Sequence, residues 1–449
     1  MKKDDDLLLD IVDLGANGEG IAHVDNQTIF VPYALVGEKV SAKVDFCKNG
    51  IAFTHLKKVI TQSPHRVAPP CEVFGECGGC QLQHLAYEQQ LELKRANVSN
   101  NFKKIAKLDV TCDNVIWQAK YGYRNKLQMP ISQIDGKLAF GFYKNSTHDI
   151  IEVDKCILHG DWCGKLINIV KTFAEENGIL GYCESDDSGL LKHLVARYIN
   201  KQLMVCLVIF GETLPNHGQL YKALKEKFSS VSLYININKV KNNVILGKKY
   251  VLLGGEKSIK TNVLWLKVEV QPASFMQIND GIRDKIYSTA LSKVGRTNVL
   301  IDAYSGAGVL SALLAGKFEQ VTGIEIVKEA VEDAQALVKA NNISNCNFVL
   351  GDCSQELGKV AKAYVEQGKT ITLIVDPPRK GCDKSVIEAI ANAKPDYLLY
   401  ISCNSATLAR DIAYLLDLAS DYALSPPALF DMFPQTKHVE CVVLMSRKQ

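Results

Sequence analysis

The chain has little of three features that would place it in a membrane, secretory or strongly basic class. No uninterrupted apolar stretch reaches the ~18 residues that suggest a membrane-spanning helix. The first residues, MKKDDDLLLD, contain no long apolar run, so we expect no secretory leader. An excess of one charge is also missing, because 52 Lys and Arg stand against 49 Asp and Glu, a net charge of +3. This balance excludes a global basic field for nucleic acid but leaves room for a local basic groove.

Cysteine, by contrast, is plentiful, with 14 in 449 residues. Without a leader a disulfide scaffold is disfavoured, and we expect a reducing cytoplasm, where clustered cysteines more often bind metal or act in catalysis. Cys71, Cys77 and Cys80 are spaced C-x5-C-x2-C and need a fourth thiolate to complete a soft tetrahedral site. Cys156, in a strand-turn context, is the predicted fourth. The spacing does not separate an iron–sulfur cluster from zinc.

The length indicates two or three domains, and the apolar pattern changes twice along the chain. Residues 1–62 read as short alternating strands, which predicts a small OB-like β-barrel of a kind that often binds nucleic acid. Residues 63–270 begin with a proline-rich linker and continue as mixed α+β. Residues 271–449 alternate helices and strands, which predicts a mostly parallel sheet with helices on both faces. The predicted fold class is α/β, with a Rossmann-like C-terminal domain.

A cofactor pocket is indicated where strands of the C-terminal domain end. IDAYSGAG (301–308) is an apolar strand followed by a Gly-rich turn that opens a helix, and glycine lets the backbone approach a ligand closely. Glu325 ends the next strand, where a carboxylate can accept both ribose hydroxyls. Asp352 closes the third strand, where it could meet an adenine amino group. The glycines do not spell G-x-G-x-x-G, so S-adenosylmethionine is predicted over a dinucleotide.

A rigid turn, DPPRKG (376–381), follows the apolar strand ITLIV (371–375). Its two prolines remove two backbone N–H donors and stiffen the chain, so the turn can hold Asp376 against a planar base. Arg379 and Lys380 follow at once, and we expect these two cations to contact phosphates. The turn therefore predicts a place where a nucleotide base meets the protein.

Cys403 is the predicted nucleophile. The apolar strand YLLYIS (397–402) runs into it, and a helix-forming stretch, ATLARDIAYLL (406–416), follows. A thiol beside a helix N-terminus is expected to have a lowered pKa, which favours the nucleophilic thiolate. Glu440 precedes a very apolar strand and is the predicted base, since partial burial would raise its pKa toward a useful value. His438 is the alternative base.

Seven motifs together resemble those of the bacterial RNA uracil-5-methyltransferases that modify 23S rRNA and tRNA: CGGCQLQHL, YRNK, FMQIND, DAYSGAG, DPPRKG, SCNSATLARD and DMFPQTKHVE. The resemblance spans essentially the whole chain. It implies a TRAM barrel at 1–62, a central domain with an iron–sulfur cluster at 63–270, and a methyltransferase domain at 271–449. It makes Cys403 the nucleophile and Glu440 the proton acceptor. The implied [4Fe–4S] ligands are Cys71, Cys77, Cys80 and Cys156. The implied cofactor contacts are Gln277, Tyr304, Glu325, Asp352 and Asp376.

Two positions depart from the family pattern. Ser305 stands where a cysteine is usual in the glycine turn, and Ser405 stands where a proline usually follows SCN. Neither position carries the expected chemistry, so the departures concern only the fine geometry of the pocket.

The predicted reaction methylates carbon 5 of a uridine in 23S rRNA with S-adenosylmethionine, through a covalent adduct of Cys403 with carbon 6. tRNA is the alternative substrate for the same chemistry. Two more distant alternatives are an enzyme that methylates an amino group of a base or protein, which needs no nucleophile, and an inert RNA-binding protein. RNA is the predicted partner, and neither a membrane nor a protein partner is implied.

Overall fold

A computed structural model describes residues 1–134, 136–145, 147–184 and 186–448. At the N-terminus, short strands alternate buried aliphatic and exposed polar side chains around a small core that includes Leu9, Ile29 and Val40. The strands are β1 (Asp6–Asp10), β2 (Asp13–Leu14), β3 (Gly20–Val24), β4 (Gln27–Val31), β5 (Lys39–Lys48) and β6 (Ile51–Thr61). They adjoin in the order β1-β5-β6-β4-β3-β2, and every pair except β4–β6 is antiparallel.

The middle of the chain builds a second sheet with helices packed against it. Its elements are α1 (Tyr87–Asn101), a π-helical turn (Phe102–Ala106), β7 (Val115–Ile116), β8 (Lys126–Ile134), β9 (Lys137–Tyr143), β10 (Ile150–Glu152), α2 (Asp161–Glu176), β11 (Leu191–Ile199), β12 (Gln202–Ile209), α3 (His217–Lys227), β13 (Ser230–Ile237), β14 (Lys249–Gly254), β15 (Ile259–Val263) and β16 (Leu266–Val270). The sheet order is β10-β9-β8-β11-β12-β13-β14, and β15 and β16 form a separate hairpin. Leu166 of α2 and Leu220 of α3 lie in the core of this sheet.

The C-terminal part alternates helices and strands, as the sequence predicts. Its elements are α4 (Asp280–Lys293), β17 (Val299–Ala303), α5 (Val309–Leu314), a 3-10 turn (Ala315–Lys317), β18 (Gln320–Glu325), α6 (Lys328–Ala340), β19 (Cys346–Leu350), α7 (Cys353–Glu366), β20 (Ile371–Val375), α8 (Lys384–Ala393), β21 (Tyr397–Ser402), α9 (Ser405–Leu418), β22 (Tyr422–Leu424), β23 (Ala428–Phe430) and β24 (Glu440–Arg447). The sheet order is β19-β18-β17-β20-β21-β24-β23-β7, with β22 also paired to β24. The first five strands are parallel and apolar throughout much of their length because helices bury both faces. The predicted Rossmann-like fold is confirmed.

Helix α1 and strand β7 precede the second sheet in sequence but pack against the C-terminal one. Val98 and Phe102 share a hydrophobic cluster with Leu408 and Ile412 of α9, and β7 pairs with β23. Residues of the predicted central domain therefore contribute to the core beside the C-terminal sheet. The predicted divisions at 62/63 and 270/271 stay predictions. No helix in the described ranges is both long and apolar enough to cross a membrane.

Candidate active site

The predicted site residues gather at one edge of the C-terminal sheet. Tyr304, Asp376 and Cys403 follow β17, β20 and β21 directly, Glu325 ends β18, and Asp352 lies two residues beyond β19. All five strands are parallel, so their carboxyl ends meet at the same edge. The strand order changes direction between β17 and β20, and ligands bind in the crevice at such a switch point.

The glycine turn after β17 needs its glycines for two reasons. Gly306 and Gly308 have φ angles of 53° and 71°, a region that residues with a side chain rarely adopt, and Tyr304 just before them is strained at 66°. A Cβ on Gly308 would also lie 2.7 Å from the Phe348 ring. The Gly306 N–H donates to Glu325 Oε2 at 2.9 Å, so the carboxylate predicted to bind ribose is held against the turn.

Two acidic side chains flank the switch point. Asp302 is buried and accepts a 2.5 Å hydrogen bond from the Ser311 hydroxyl, and burial raises its pKa to about 6. Asp376 is exposed at the open edge of the sheet. Nearby protein atoms and the charge of Asp302 raise the pKa of its carboxyl. A cationic ligand in the crevice would be favoured by both carboxylates and would lower both pKa values.

The remaining predicted cofactor contacts also have local structural partners. Gln277 lies just before α4, and its carbonyl accepts a 3.1 Å hydrogen bond from Asn125 Nδ2. Asp352 is the N-cap of α7, where its Oδ1 accepts from Ser354 N at 2.8 Å. The hydrogen bonds that Asp352 accepts from Ser354 hold the pKa of this carboxyl below its usual range, and the charge of Lys380 adds to the effect.

Cys403 and Glu440 lie at the same end of β21 and β24. These strands are antiparallel and their last pair is Ser402 with Cys441, so Cys403 directly follows this pair and Glu440 directly precedes it. The charge of Glu440 acts on the Cys403 thiol. Cys403 is half-buried, and Glu440 is only 5% exposed. A thiol and a carboxyl group 37 positions apart thus meet beside the crevice.

The pKa of Cys403 is raised to about 11, opposite to the lowering that the sequence predicts. Burial contributes most, the Glu440 charge adds to it, and Arg379 opposes it. Burial and the Glu440 charge outweigh the dipole of α9, whose N-cap is Asn404, with its Oδ1 accepting from Ala406 N at 3.0 Å. At neutral pH the resting thiol is therefore protonated.

Burial also raises the pKa of Glu440 to about 8, with a smaller upward effect from Asp376 and a downward one from Arg379. The folded state thus retains a proton that the unfolded chain releases near pH 4.5, so stability falls as pH rises from there to about 8.

We expect Glu440→Gln to raise the free energy of unfolding at pH 8 by about 2–4 kcal/mol and to change it little at pH 4.5. Denaturant unfolding at both pH values measures this. Glu329→Gln, at an exposed position, is the control, and an equal effect at both pH values would contradict the buried carboxyl.

The DPPRKG turn is tied to the strand end that carries Cys403. Asn404 Nδ2 donates to the Arg379 carbonyl at 3.2 Å, and the Arg379 side chain is exposed, with its charge felt by both Cys403 and Glu440. The side chain of Lys380 forms an ion pair with Asp383 at 3.1 Å. Sequence reasoning missed the role of Asn404, although an Asn directly before a helix-forming stretch is a standard N-cap signal.

His438, the alternative base, lies on the loop that leads to Glu440. Burial and the charges of Arg379 and Lys437 lower its pKa to about 4. An imidazole with so low a pKa is a weak proton acceptor, whereas a carboxyl group near pKa 8 is a strong one for its type. The electrostatics therefore favour Glu440 over His438.

Four cysteines, Cys71, Cys77, Cys80 and Cys156, line one cavity of about 240 Å³. Across the described residues, no group of three or more His, Cys, Asp or Glu is arranged to hold a metal ion. A [4Fe–4S] cube, however, spreads its thiolates around a larger body than one ion does, so thiols that surround a cavity fit a cluster. The Gly79 N–H donates to Cys77 Sγ at 3.4 Å, a contact of the kind that tunes cluster sulfurs. The donor set fits the implied cluster.

Two family models match the sequence. The sequence model of the tRNA (uracil-5-)-methyltransferase family matches residues 86–448. The chain belongs to this family. The model of the TRAM domain matches residues 7–57, so the predicted N-terminal barrel of this uracil-5-methyltransferase family member is a TRAM domain.

Curated relatives match the whole chain. An uncharacterized RNA methyltransferase of Clostridium acetobutylicum is 38% identical over 100% of this chain and 98% of its own length. Another, from Halalkalibacterium halodurans, is 39% identical over 100% and 98%. Among solved structures, the tRNA (uracil-54, C5)-methyltransferase of Pyrococcus abyssi in complex with S-adenosyl-L-homocysteine has a TM-score of 0.77 and 27% identity, covering 98% of this chain and 99% of that one. The predicted family and fold are therefore confirmed.

Proposed function

We propose that this member of the family methylates carbon 5 of a uridine in RNA through a covalent adduct with Cys403. The observation that carries the proposal is that Cys403 and Glu440 flank the last pair of β21 and β24 and that the Glu440 charge acts on the Cys403 thiol. Methylation of an amino group needs neither a nucleophile nor a base at this place. A thiol paired with a carboxyl group of raised pKa is what uracil carbon 5 requires, because that carbon is a poor nucleophile.

The reaction has four steps. The Cys403 thiol releases its proton to solvent, the thiolate bonds to carbon 6, and the displaced electron pair makes the ring an enolate. Carbon 5 then takes the methyl group of S-adenosylmethionine, which leaves as S-adenosylhomocysteine. In its ionised form, Glu440 removes the proton on carbon 5, and the returning electron pair restores the double bond and expels Cys403. Asp376 orients the ring. The uridine must leave its stack to reach the crevice, and this costs least in loops.

Positive charge near Cys403 lowers the pKa of its thiol and so favours the thiolate. The thiol alone has a pKa of about 11, and Arg379 already opposes that rise. The sulfonium of the methyl donor supplies a second positive charge when bound. Because Asp302 and Asp376 border the crevice, they would attract that cation, and the order of events would be donor first, adduct second.

We propose Gln277, Tyr304, Glu325, Asp352 and Asp376 as the residues that hold the donor. Glu325 is the residue to test, because its two carboxylate oxygens would accept hydrogen bonds from the ribose hydroxyls. We expect Glu325→Gln to weaken binding of S-adenosylhomocysteine by about 10- to 100-fold, because charge-assisted hydrogen bonds worth about 1.5–3 kcal/mol are lost. Isothermal titration measures the affinity. Glu332→Gln, exposed on α6, is the control, and unchanged affinity in Glu325→Gln would remove this residue from the site.

The proposed RNA is 23S rRNA, in line with the resemblance of the motifs. The test incubates the protein with S-adenosylmethionine and unmodified 23S rRNA fragments or tRNA transcripts, followed by mass spectrometry of the nucleosides. We expect 5-methyluridine in the rRNA fragments. An N-methylated nucleoside, or consumption of the donor without 5-methyluridine in either RNA, would contradict the proposal.

tRNA is the second candidate substrate, favoured by a specific observation. The Pyrococcus abyssi protein is a tRNA (uracil-54, C5)-methyltransferase, and its match to this chain covers 99% of the Pyrococcus abyssi chain. The same assay decides between the two, since 5-methyluridine confined to tRNA would establish the second candidate.

We propose that Cys71, Cys77, Cys80 and Cys156 hold a [4Fe–4S] cluster, with zinc as the alternative. The cluster would secure the cysteine-bearing segment, since the proposed reaction transfers no electrons. We expect anaerobically purified protein to be brown with about four iron and four sulfide per chain, and Cys80→Ser to lose both. Metal and sulfide analysis measures this, with Cys47→Ser in the barrel as control. Colourless protein with bound zinc would overturn the cluster.

A further inference from the structure

The loop 431–438, which leads to Glu440, is held largely by side chains from outside the C-terminal sheet. It connects β23 to β24, and Phe430 pairs with Glu440, so its two ends lie side by side. Tyr123 of the middle segment donates to the Pro434 carbonyl at 3.1 Å. Lys437 of the loop donates to Asn17 of the barrel. Remote parts of the chain therefore hold the loop that leads directly into Glu440.

A buried ion pair fixes the start of this loop. Lys94 of α1 and Asp431 are both fully buried, and Lys94 Nζ lies 2.6 Å from Asp431 Oδ1. Lys94 also donates to the Phe433 carbonyl at 3.3 Å, and the Tyr87 hydroxyl donates to Asp431 Oδ2 at 2.7 Å. A buried pair of this kind is weak support for stability, because apolar side chains of similar size often serve as well. The pair instead holds the start of the loop in one defined position against α1.

Gln435 fixes the middle of the loop in a strained conformation. Its φ is 70°, a value unfavourable for a residue with a side chain, and it is only 1% exposed. Its carbonyl accepts backbone hydrogen bonds from Gln81 at 3.1 Å and Leu82 at 3.0 Å, directly after Cys80. Its side-chain oxygen accepts from Gln90 Nε2 at 3.0 Å. The surrounding contacts are what maintain this strain.

We propose that the Lys94–Asp431 pair, with Tyr87 and Gln435, is a positioning device that sets Glu440 against the carbon 5 proton. The inference rests on the proposed function, since it concerns proton removal by Glu440. It joins the cysteine-bearing segment and α1 to the catalytic step through direct contacts. Because Glu440 is the first residue of β24, a shift of the loop would reach it before the rest of the strand and leave the crevice and Cys403 in place.

The test replaces the pair without leaving a buried charge. In the double variant Lys94→Met with Asp431→Asn, the amide still accepts from Tyr87 but no longer binds a cation. We expect kcat to fall about 100-fold, the loss that follows a misplacement of about 1 Å. KM for RNA and for S-adenosylmethionine should stay unchanged. A covalent protein–RNA complex should accumulate on ordinary uridine RNA, as in Glu440→Gln, because proton removal becomes slow.

The controls separate positioning from general damage. Glu92→Gln with Arg95→Gln removes an exposed ion pair from the same helix and should leave kcat unchanged. If the double variant does not fold, Tyr87→Phe decides, with the same signature at smaller amplitude. A fall in kcat without accumulated complex, where Glu440→Gln does accumulate it, would overturn the positioning role. Normal methylation by Glu440→Gln itself would instead refute proton removal by Glu440, and the proposed function with it.

Discussion

Cys403→Ala is expected to abolish methyl transfer, with kcat lowered by about 10⁴-fold or more. Without the thiol no adduct forms at carbon 6, and carbon 5 of the intact uracil ring is too weak a nucleophile to take the methyl group. Binding of S-adenosylhomocysteine and of RNA should persist, because the crevice and the barrel do not depend on this sulfur. Methyl transfer from labelled S-adenosylmethionine, together with titrations of both ligands, measures the result.

A second cysteine in the same sheet provides the matched control. Cys346 is buried at the start of β19, at the opposite end of the strands from the crevice, and Cys346→Ala should keep the activity. Full methylation by Cys403→Ala would contradict the covalent mechanism and favour transfer to an amino group.

Glu440→Gln is expected to stop the reaction after methyl transfer. The amide cannot accept the carbon 5 proton, so the methylated adduct cannot eliminate Cys403. We therefore expect turnover to fall about 10²- to 10⁴-fold while a covalent complex with ordinary RNA accumulates and contains one transferred methyl group. Denaturing gels with labelled donor and labelled RNA show both features at once.

This variant separates Glu440 from its rival on the neighbouring loop. His438→Gln should accumulate no complex, because the pKa of its imidazole, about 4, makes it a poor base. The reverse outcome, with the complex in His438→Gln and normal release in Glu440→Gln, would transfer the role of base to His438.

Local pattern was enough to predict the strand ends that carry the site. The apolar runs before Tyr304, Asp376 and Cys403 are short and continuous, as strands buried on both faces must be, and each is followed by turn or helix signals. Parallel strands separated by helices then bring their ends to one edge. For this reason the residues named from the sequence lie close together in the structure.

Features that depend on pairing between distant segments could not be predicted from local sequence patterns. The sequence predicts a lowered pKa for Cys403 from the helix beside it. In the structure, burial and the charge of Glu440 on an antiparallel strand raise this pKa instead. The pairing of Lys94 with Asp431 spans 337 positions. In the sequence Lys94 reads as an ordinary solvated charge on a polar helix, because nothing local shows that the chain buries it.

The most direct test of the covalent mechanism offers the protein 5-fluorouridine-substituted RNA, as 23S rRNA fragments and as tRNA, with S-adenosylmethionine. Fluorine at carbon 5 cannot be removed as a proton, so the adduct with Cys403 should be trapped. We predict a covalent band on a denaturing gel with the natural substrate class, and its absence in Cys403→Ala. No band with either RNA, from protein that binds S-adenosylhomocysteine, would contradict the covalent uracil-5 mechanism.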